Sequence, residues 1–255
     1  MSKKRTQESG IADSLGFIIV SLMQIIIVLC YRLIVLTYDI ITFHTSGYKQ
    51  KSGNSFLKSY FDKGSYGEFI LYRKVCKIFG KGSVLTNLYL DNEKTDTTEI
   101  DVLAVSNKGI YVYEMKNYSG YIYGSEKDQY WTQVLNRRTK NKFYNPLKQN
   151  YAHTKAVERY LEIDIDKIIP IIVFSDRSKL SKINISDRSN VFQYNGAARF
   201  VRNNEKNKNL IILNEEKESY LIKLIERSNM PEEVKIKHID QVKQLQESNK
   251  NLRSA

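Results

Sequence analysis

The first strong pattern in the chain is an apolar run near its N-terminus. Residues 15–31 are 17 consecutive residues without a charge, and residues 33–36 extend the run past Arg32. About 20 apolar residues cross a bilayer as a helix, so residues 15–36 predict a transmembrane helix with Arg32 reaching the interface. A signal peptide after the basic residues 3–5 and a buried soluble helix are the alternatives. No cleavage site of small residues follows the run, and nothing downstream needs so long an apolar helix.

The remaining chain alternates between helical and strand periodicities. Apolar residues at helical spacing, a Pro in the first turn of a helix and Gly at an end predict helices. Short apolar runs between turn-forming residues predict strands. The predicted helices are Tyr66–Phe79, Pro146–Glu162, Glu216–Arg227 and the polar segment Pro231–Leu252, and the predicted strands are Val84–Asp91, Ile100–Val105, Ile110–Met115, Tyr121–Tyr123 and Ile168–Phe174, where Pro170 indicates an edge or a bulge.

Two of these strands are joined by the turn-forming residues 106–109, which predicts a β-hairpin. Because side chains alternate between the faces of a strand, Glu114 and Lys116 share a face. A loop of two or four residues places Asp101 opposite Glu114, with Cβ atoms about 4.5–5.5 Å apart. A three-residue loop with a bulge at Gly109 would instead place the two carboxylates on opposite faces.

Opposed carboxylates repel each other, and a cation between them relieves the repulsion. Mg²⁺ suits such a place because it takes one or two carboxylates and completes its shell with water and substrate phosphate. Lys116, next along the same face, is placed to stabilise charge on an attacking hydroxide or a phosphorane. The alternative is a solvated strand face that carries charge, and the pattern by itself leaves both interpretations open.

The order of these residues resembles a known family. Asp101 followed by Glu114-Met115-Lys116 is similar to the PD-(D/E)xK nuclease superfamily, with Ile100 where that superfamily has Pro. The wider pattern resembles the nuclease-related NERD domain over residues 64–174. The residues that carry it are Gly67-Glu68, Ile100-Asp101, Gly109-Ile110-Tyr111-Val112, Glu114-x-Lys116-Asn117-Tyr118-x-Gly120, Trp131 and Asn145-Pro146-Leu147-x-Gln149-Asn150-x-x-His153.

The resemblance implies an α/β fold, with a restriction-endonuclease-like mixed β-sheet core flanked by helices. It implies Mg²⁺ or Mn²⁺ as cofactor, Asp101 and Glu114 as metal ligands, and Lys116, Gln149 and Glu68 as catalytic residues. By pattern alone, a favourable interaction of Glu68 with the helix dipole in the first turn is preferred to a catalytic role, and the resemblance reverses this preference. His153, one turn after Gln149, is interpreted as a packing histidine in preference to a second polar contact.

The net charge of the chain predicts that its partner is a polyanion. The chain has a net charge of +12 and a pI near 9.4, and residues 1–43 contribute only one of these positive charges. Residues 136–157 hold six basic and no acidic residues, interleaved with aromatic ones, which favours a phosphate-binding surface over an ordinary solvated face. The predicted nucleic-acid-binding residues are Arg137, Arg138, Lys140, Lys142 and Lys148.

These observations predict a membrane-anchored, metal-dependent nuclease acting on nucleic acid, DNA rather than RNA. The apolar run 15–36 predicts a single-pass membrane protein. Two cysteines without a disulfide or zinc spacing favour a reducing compartment, and together with the expected substrate they favour a catalytic domain in the cytoplasm. The alternatives are a non-catalytic nucleic-acid-binding module and a membrane scaffold whose C-terminal helices bind a protein partner. The predicted segments are a basic tail (1–14), the transmembrane helix (15–36), a linker (37–63), the nuclease core (64–175) and a basic helical extension (176–255).

Overall fold

The computed structural model describes residues 2–92, 96–186, 190–206, 212–228 and 240, and the chain divides into two units, residues 1–45 and 46–255. The first unit is one helix, α1 (Ser2–Thr45). Its stretch Gly16–Thr45 contains an 18-residue window with a mean hydropathy of 2.5 and is long and apolar enough to cross a membrane. The predicted apolar helix is therefore present, and it continues into the segment that was interpreted as a linker.

The second unit is a mixed α/β structure with two mixed sheets flanked by helices. Its helices are α2 (Tyr48–Ser52), α3 (Phe56–Phe61), α4 (Lys63–Phe79), α5 (Pro146–Leu161), α6 (Tyr194–Glu205) and α7 (Asn214–Ser228). Its strands are β1 (Val84–Asn92), β2 (Asp96–Ser106), β3 (Gly109–Lys116), β4 (Gly120–Ser125), β5 (Tyr130–Val134), β6 (Lys140–Tyr144), β7 (Ile168–Phe174), β8 (Ser178–Asn184) and β9 (Val191–Gln193).

The main sheet has the strand order β1-β2-β3-β7-β9. Strands β1, β2 and β3 are antiparallel neighbours, whereas β7 and β9 continue the sheet in parallel. Val112 faces a core that includes Val157 of α5 and Leu224 of α7. The neighbouring residue, Tyr111, faces the other way and contacts Phe79 of α4, with ring centroids 5.0 Å apart. Helices therefore cover both faces of this sheet.

The second sheet has the order β6-β5-β4-β8 and packs through its inner face against β7. Trp131 lies parallel to Phe174 at a centroid distance of 6.2 Å, and its Nε1 donates to the Ser125 carbonyl at 2.9 Å. A Cβ atom on Gly124 would lie 2.3 Å from the Trp131 ring, so glycine at this position leaves room for the ring.

Residues 46–63 fold as part of the second unit. Tyr48 of α2 is fully buried and packs on Phe69 and Tyr72 of α4, with ring centroids 5.3 Å from each. The side chain of Asp62 accepts the Ser65 N–H at 2.7 Å and caps the start of α4. Sequence periodicity missed α2 and α3 because helices of five and six residues are too short to show a repeat.

The hairpin register is the one predicted for a two-residue loop. Ser106 pairs with Gly109 and Val105 with Ile110. The helix predicted at Pro146 is also confirmed, with Asn145 as its cap. The predicted polar helix Pro231–Leu252 lies outside the described residues, apart from Asp240.

Pro170 lies in a strand that is interior to the sheet order. Strand β9 pairs only with residues 172–174 of β7, so Pro170 precedes the paired part. The Ile172 N–H donates toward that neighbour, to the Asn190 carbonyl, and Asn190 Nδ2 donates to the Pro170 carbonyl at 3.0 Å. An N–H at position 170 would point toward the side of β7 on which β9 lies, but β9 pairs only with residues 172–174. Proline at this position therefore removes no hydrogen bond of the ladder.

Candidate active site

The site begins where the hairpin ladder stops. Pairing between β2 and β3 ends at Val102 and Tyr113, and the next two residues in register are Asp101 and Glu114. Asp101 does not continue the ladder through its backbone. Its Oδ2 accepts the Met115 N–H at 2.7 Å, so its carboxylate takes the place of a strand carbonyl.

Strand β1, on the other side of β2, is also interrupted next to Asp101, at Asn87. Thr86 and Leu88 pair with β2, but Asn87 between them has a φ of 51° and is left out of the ladder at the position opposite Asp101. Asn tolerates this left-handed conformation better than most residues because its short polar side chain forms local hydrogen bonds. Its Nδ2 donates to Glu99 Oε1 at 2.7 Å. A backbone irregularity beside candidate catalytic groups is a common feature of active sites.

Glu114 is buried and both of its carboxylate oxygens are engaged. Lys116 Nζ lies 2.6 Å from Oε1, and His153 Nε2 lies 2.8 Å from Oε2. The other ring nitrogen of His153, Nδ1, lies 2.8 Å from Thr98 Oγ1. His153 is therefore a polar contact of Glu114, and its interpretation as a packing histidine was wrong.

Helix α5 brings Gln149 to the same place. Its Oε1 accepts from Lys116 Nζ at 2.9 Å. The start of the helix is held by Asn145, whose Oδ1 accepts the Leu147 N–H and whose Nδ2 donates to three carbonyls of the β4–β5 turn. Because Gln149 and His153 are one turn apart, a single fixed helix sets the positions of both side chains relative to Glu114 and Lys116.

Glu68 approaches the carboxylates from α4. Burial, followed by the charges of Glu99, Glu114 and Asp62, raises its pKa to about 8, and a hydrogen bond with Asn87 opposes this increase. The residue before it, Gly67, packs on Asn117, and a Cβ atom there would lie 2.7 Å from Asn117 Cβ. Glycine therefore permits α4 to lie close to the chain that follows Lys116.

The charges of the site are strongly coupled. Burial, then Glu114 and Glu68, raise the pKa of Asp101, while Lys116 and the Met115 N–H oppose the increase. Burial also acts to raise the pKa of Glu114, but Lys116 and His153 lower it overall. Burial acts to lower the pKa of Lys116, but Glu114 raises it overall. Lys116 and Glu114 therefore form a charged pair. The carboxylate of Asp101 is repelled by Glu114 and Glu68, and Lys116 offsets this repulsion only in part.

The structure brings together one set of predicted residues and separates the other. Asp101, Glu114, Lys116, Gln149 and Glu68 converge at the end of the hairpin through hydrogen bonds, ion pairs and charge interactions. The predicted nucleic-acid-binding residues lie elsewhere: Arg137 and Arg138 in the exposed β5–β6 turn, Lys140 and Lys142 on β6, and Lys148 on α5, where its Nζ donates to the Lys127 carbonyl.

Three residues of the site were not singled out from the sequence. Asn87, Thr98 and Glu99 act through contacts with Glu68, His153 and each other. Thr98 and Glu99 precede Asp101 by three and two residues. Their polar side chains, directly before the apolar run 100–105, were the sequence signal that could have identified them. Nothing local marks Asn87, since its role depends on the pairing of β1 with β2.

An open cleft of about 480 Å³ adjoins this site. It lies where β3 and β7 end, because Asn117 and Ser175, which follow those strands, contribute to its wall. The rest of its lining is mostly basic and aromatic, and consists of Tyr60, Lys63, Tyr66, Arg177 and Tyr194 together with Ile70 and Asp176.

Comparison with known proteins assigns the family. A model of the nuclease-related domain, NERD, matches residues 63–175. An uncharacterized protein of Bacillus anthracis is 33% identical over 179 residues, which are 69% of this chain and 82% of that protein. Residues 63–175 belong to the NERD family. No solved structure matches it at a significant level.

The NERD match includes the whole candidate site. It begins at the first residue of α4 and ends directly after β7, so it contains the carboxylates, Lys116, Gln149 and His153. It also contains β4, β5 and β6 of the second sheet, whereas β8 and β9 lie beyond it. A nuclease-related function, with nucleic acid as substrate, follows for this domain.

Proposed function

We propose that the protein is a membrane-anchored, metal-dependent nuclease of the PD-(D/E)xK type that hydrolyses phosphodiester bonds of DNA. The observation that carries the proposal is the group formed by the buried Glu114 and the partly buried Asp101 and Lys116, with Gln149 bound to the lysine. Apolar residues would pack at this strand end without the desolvation cost of two opposed carboxylates and a cation. Packing alone therefore does not explain these three residues.

The donor set fits a hard divalent cation such as Mg²⁺ or Mn²⁺. Within the described parts of the chain, no three His, Cys, Asp or Glu side chains are spaced to ligate a metal together. Mg²⁺ does not need such a cage, because one or two carboxylates and several waters satisfy it. Asp101 and Glu114 would hold the ion. Burial and, after it, the charge of Glu114 raise the pKa of Asp101, and a cation between the two carboxylates would relieve their repulsion. When bound, the ion neutralises phosphate charge and makes water more acidic.

The protein side chains supply the remaining chemistry. Because its pKa is raised, Lys116 stays protonated and acts as a cation and hydrogen-bond donor toward the attacking water and the charge that develops on phosphate. Gln149 holds the Lys116 ammonium from one side. His153 fixes the Glu114 carboxylate, and Thr98 in turn orients the imidazole. Glu68, with a pKa of about 8, supports the site as a carboxyl group that binds a proton near neutral pH.

The first helix and the charge of the second unit support the location. The apolar stretch Gly16–Thr45 would span the membrane once, and the excess of basic residues in the second unit would attract a polyanion. Free Cys30 and Cys76 fit a reducing compartment, so the catalytic domain would face the cytoplasm, where DNA is also found.

The test is a cleavage assay on the purified full-length protein in detergent. Plasmid, single-stranded DNA and RNA are each incubated with Mg²⁺, Mn²⁺ or EDTA. Cleavage of DNA with either cation, lost in EDTA and in Asp101→Asn, is expected. Cleavage that persists in EDTA would refute the metal dependence, and cleavage of RNA alone would refute the choice of substrate.

A second candidate function is a nucleic-acid-binding module that does not cut. It is favoured by one observation: both oxygens of Glu114 are already paired, with Lys116 and His153, so this carboxylate is stable without a metal. The two functions differ in the response to Mg²⁺. A binding module would bind DNA equally well with Mg²⁺ or EDTA, and its melting temperature would not change on adding the cation.

A further inference from the structure

The outer face of the second sheet is lined by tyrosines and lysines. Ile122, Trp131 and Phe143 point inward to the core, so their strand neighbours point outward. Cross-strand pairing arranges the outward residues in rows. One row is Lys179-Tyr121-Val134-Lys140, the next is Tyr123-Thr132-Lys142, and the last is Tyr130-Tyr144. The outer face means these residues hereafter.

This face has one sign of charge. Its four strands, all described, contain four Tyr, four Lys and no Asp or Glu. The lysines lie on the edge strands β6 and β8, so cations border the tyrosines on both sides. Glu126 and Asp128, in the β4–β5 turn, accept the N–H groups of Ser186 and Ser125. The face is therefore complementary to a polyanion.

The rings on this face are available for contact. Tyr121 and Tyr144 are each 46% exposed. Lys179 Nζ lies 5.6 Å from the Tyr121 ring centroid, and the Tyr130 and Tyr144 rings are 6.1 Å apart. Aromatic side chains stack on nucleobases, while neighbouring lysines neutralise phosphates. Bases within a duplex are already stacked on each other, so this combination selects an unpaired strand.

We propose that the outer face binds single-stranded nucleic acid through base stacking on Tyr121 and Tyr144 and phosphate contacts from Lys140, Lys142 and Lys179. The proposal rests on the proposed function, since it names the strand that the nuclease site would receive. It differs from the basic surface predicted from sequence because the tyrosines, and not the charges, make it selective for unpaired bases.

The experiment measures binding without cleavage. Full-length protein in detergent with EDTA is titrated into a fluorescently labelled oligo(dT) or a labelled duplex of equal length, and anisotropy is recorded. The variants are Tyr121→Leu/Tyr144→Leu, the matched Tyr121→Phe/Tyr144→Phe, which keeps the rings, and Tyr151→Leu, which removes an exposed tyrosine from α5.

The Leu double variant should bind oligo(dT) about tenfold more weakly or worse, because each stacked base that is lost accounts for at least several-fold in affinity. Its affinity for duplex should change much less, and the Phe double variant and Tyr151→Leu should bind like wild type. Unchanged oligo(dT) binding by the Leu variant, or an equal loss for duplex, would overturn the proposal. A protein that binds in this way but never cuts would contradict only the proposed nuclease function.

Discussion

At the scale of single residues, the carboxylates and the lysine of the site have separable roles. Asp101→Asn removes a charge that its neighbours repel but keeps an acceptor for the Met115 N–H. The variant should melt higher than wild type without metal, should lose the increase that Mg²⁺ gives wild type, and should not cut. That increase corresponds to about 2.7 kcal/mol at a hundredfold excess over Kd. Differential scanning fluorimetry with and without Mg²⁺ measures it, and the exposed Asp164→Asn is the control. Wild-type cleavage by Asp101→Asn would refute the assignment.

Lys116→Ala should separate catalysis from metal binding. Its loss leaves Glu114 with one partner, His153, so the free energy of unfolding should fall by about 3–5 kcal/mol. The variant should still be stabilised by Mg²⁺, because lysine is not a ligand, but it should not cut. Parallel thermal melts and plasmid cleavage test this, and loss of the Mg²⁺ response in the variant would show that Lys116 is needed to form the metal site.

Glu68 makes the stability of the metal-free protein depend on pH. Its pKa rises from 4.5 to about 8 on folding, so the folded state binds the proton more tightly than the unfolded state does. Its contribution to stability is complete below pH 4.5 and is lost as pH rises toward 8. Glu68→Gln should therefore melt higher than wild type at pH 8 in EDTA, by about 2–4 °C per kcal/mol regained, and equally at pH 4.5. The exposed Glu162→Gln is the control.

At the scale of elements, the β5–β6 hairpin carries basic residues that we expect to contact phosphates of any sequence. Replacing Arg137, Arg138, Lys140 and Lys142 with Gln should weaken DNA binding equally for all sequences, because phosphate contacts read no bases. The slope of log affinity against log salt should decrease by about 0.9 for each phosphate that the variant no longer neutralises. Anisotropy titrations at several salt concentrations measure the slope. The same charge is removed in a control with Gln at Lys77, Arg199, Lys206 and Lys223, all exposed and outside this hairpin. An unchanged slope in the hairpin variant would place the binding surface elsewhere.

Sequence patterns predicted the helices and strands that are specified by residues close together in the chain. The turn at residues 106–109 and the cap and first-turn Pro of α5 are short-range signals, and both elements appear as expected. Pairing between distant segments has no local signature. The pattern therefore did not show that the chain has two sheets, or that β8 and β9 from the segment interpreted as a helical extension complete them. For the same reason Glu114 and Lys116 were recognised, whereas Asn87, which depends on the β1–β2 pairing, was not.

At the scale of the whole molecule, the apolar helix predicts attachment to a membrane. The full-length chain should sediment with membranes and stay there after carbonate or high-salt washing, since a spanning helix is held by apolar burial and not by charge. A fragment that begins at Ser46 should be soluble. Removing residues up to 53 instead would delete Tyr48, which is buried on Phe69 and Tyr72, and should destabilise the fragment. Immunoblots of pellet and supernatant test the anchor, and release of the full-length chain by salt alone would mean peripheral attachment.

Trp131 gives the protein an optical reporter of its own. It is the single tryptophan of the chain, and it lies between the second sheet and β7, parallel to Phe174. Its fluorescence emission therefore reports whether the two sheets are packed together, whereas far-UV circular dichroism reports secondary structure throughout the chain. If the sheets form one cooperative unit, urea titrations followed by the two signals should coincide. If the second sheet detaches first, the emission should shift to longer wavelength at a lower urea concentration than the one that melts the helices.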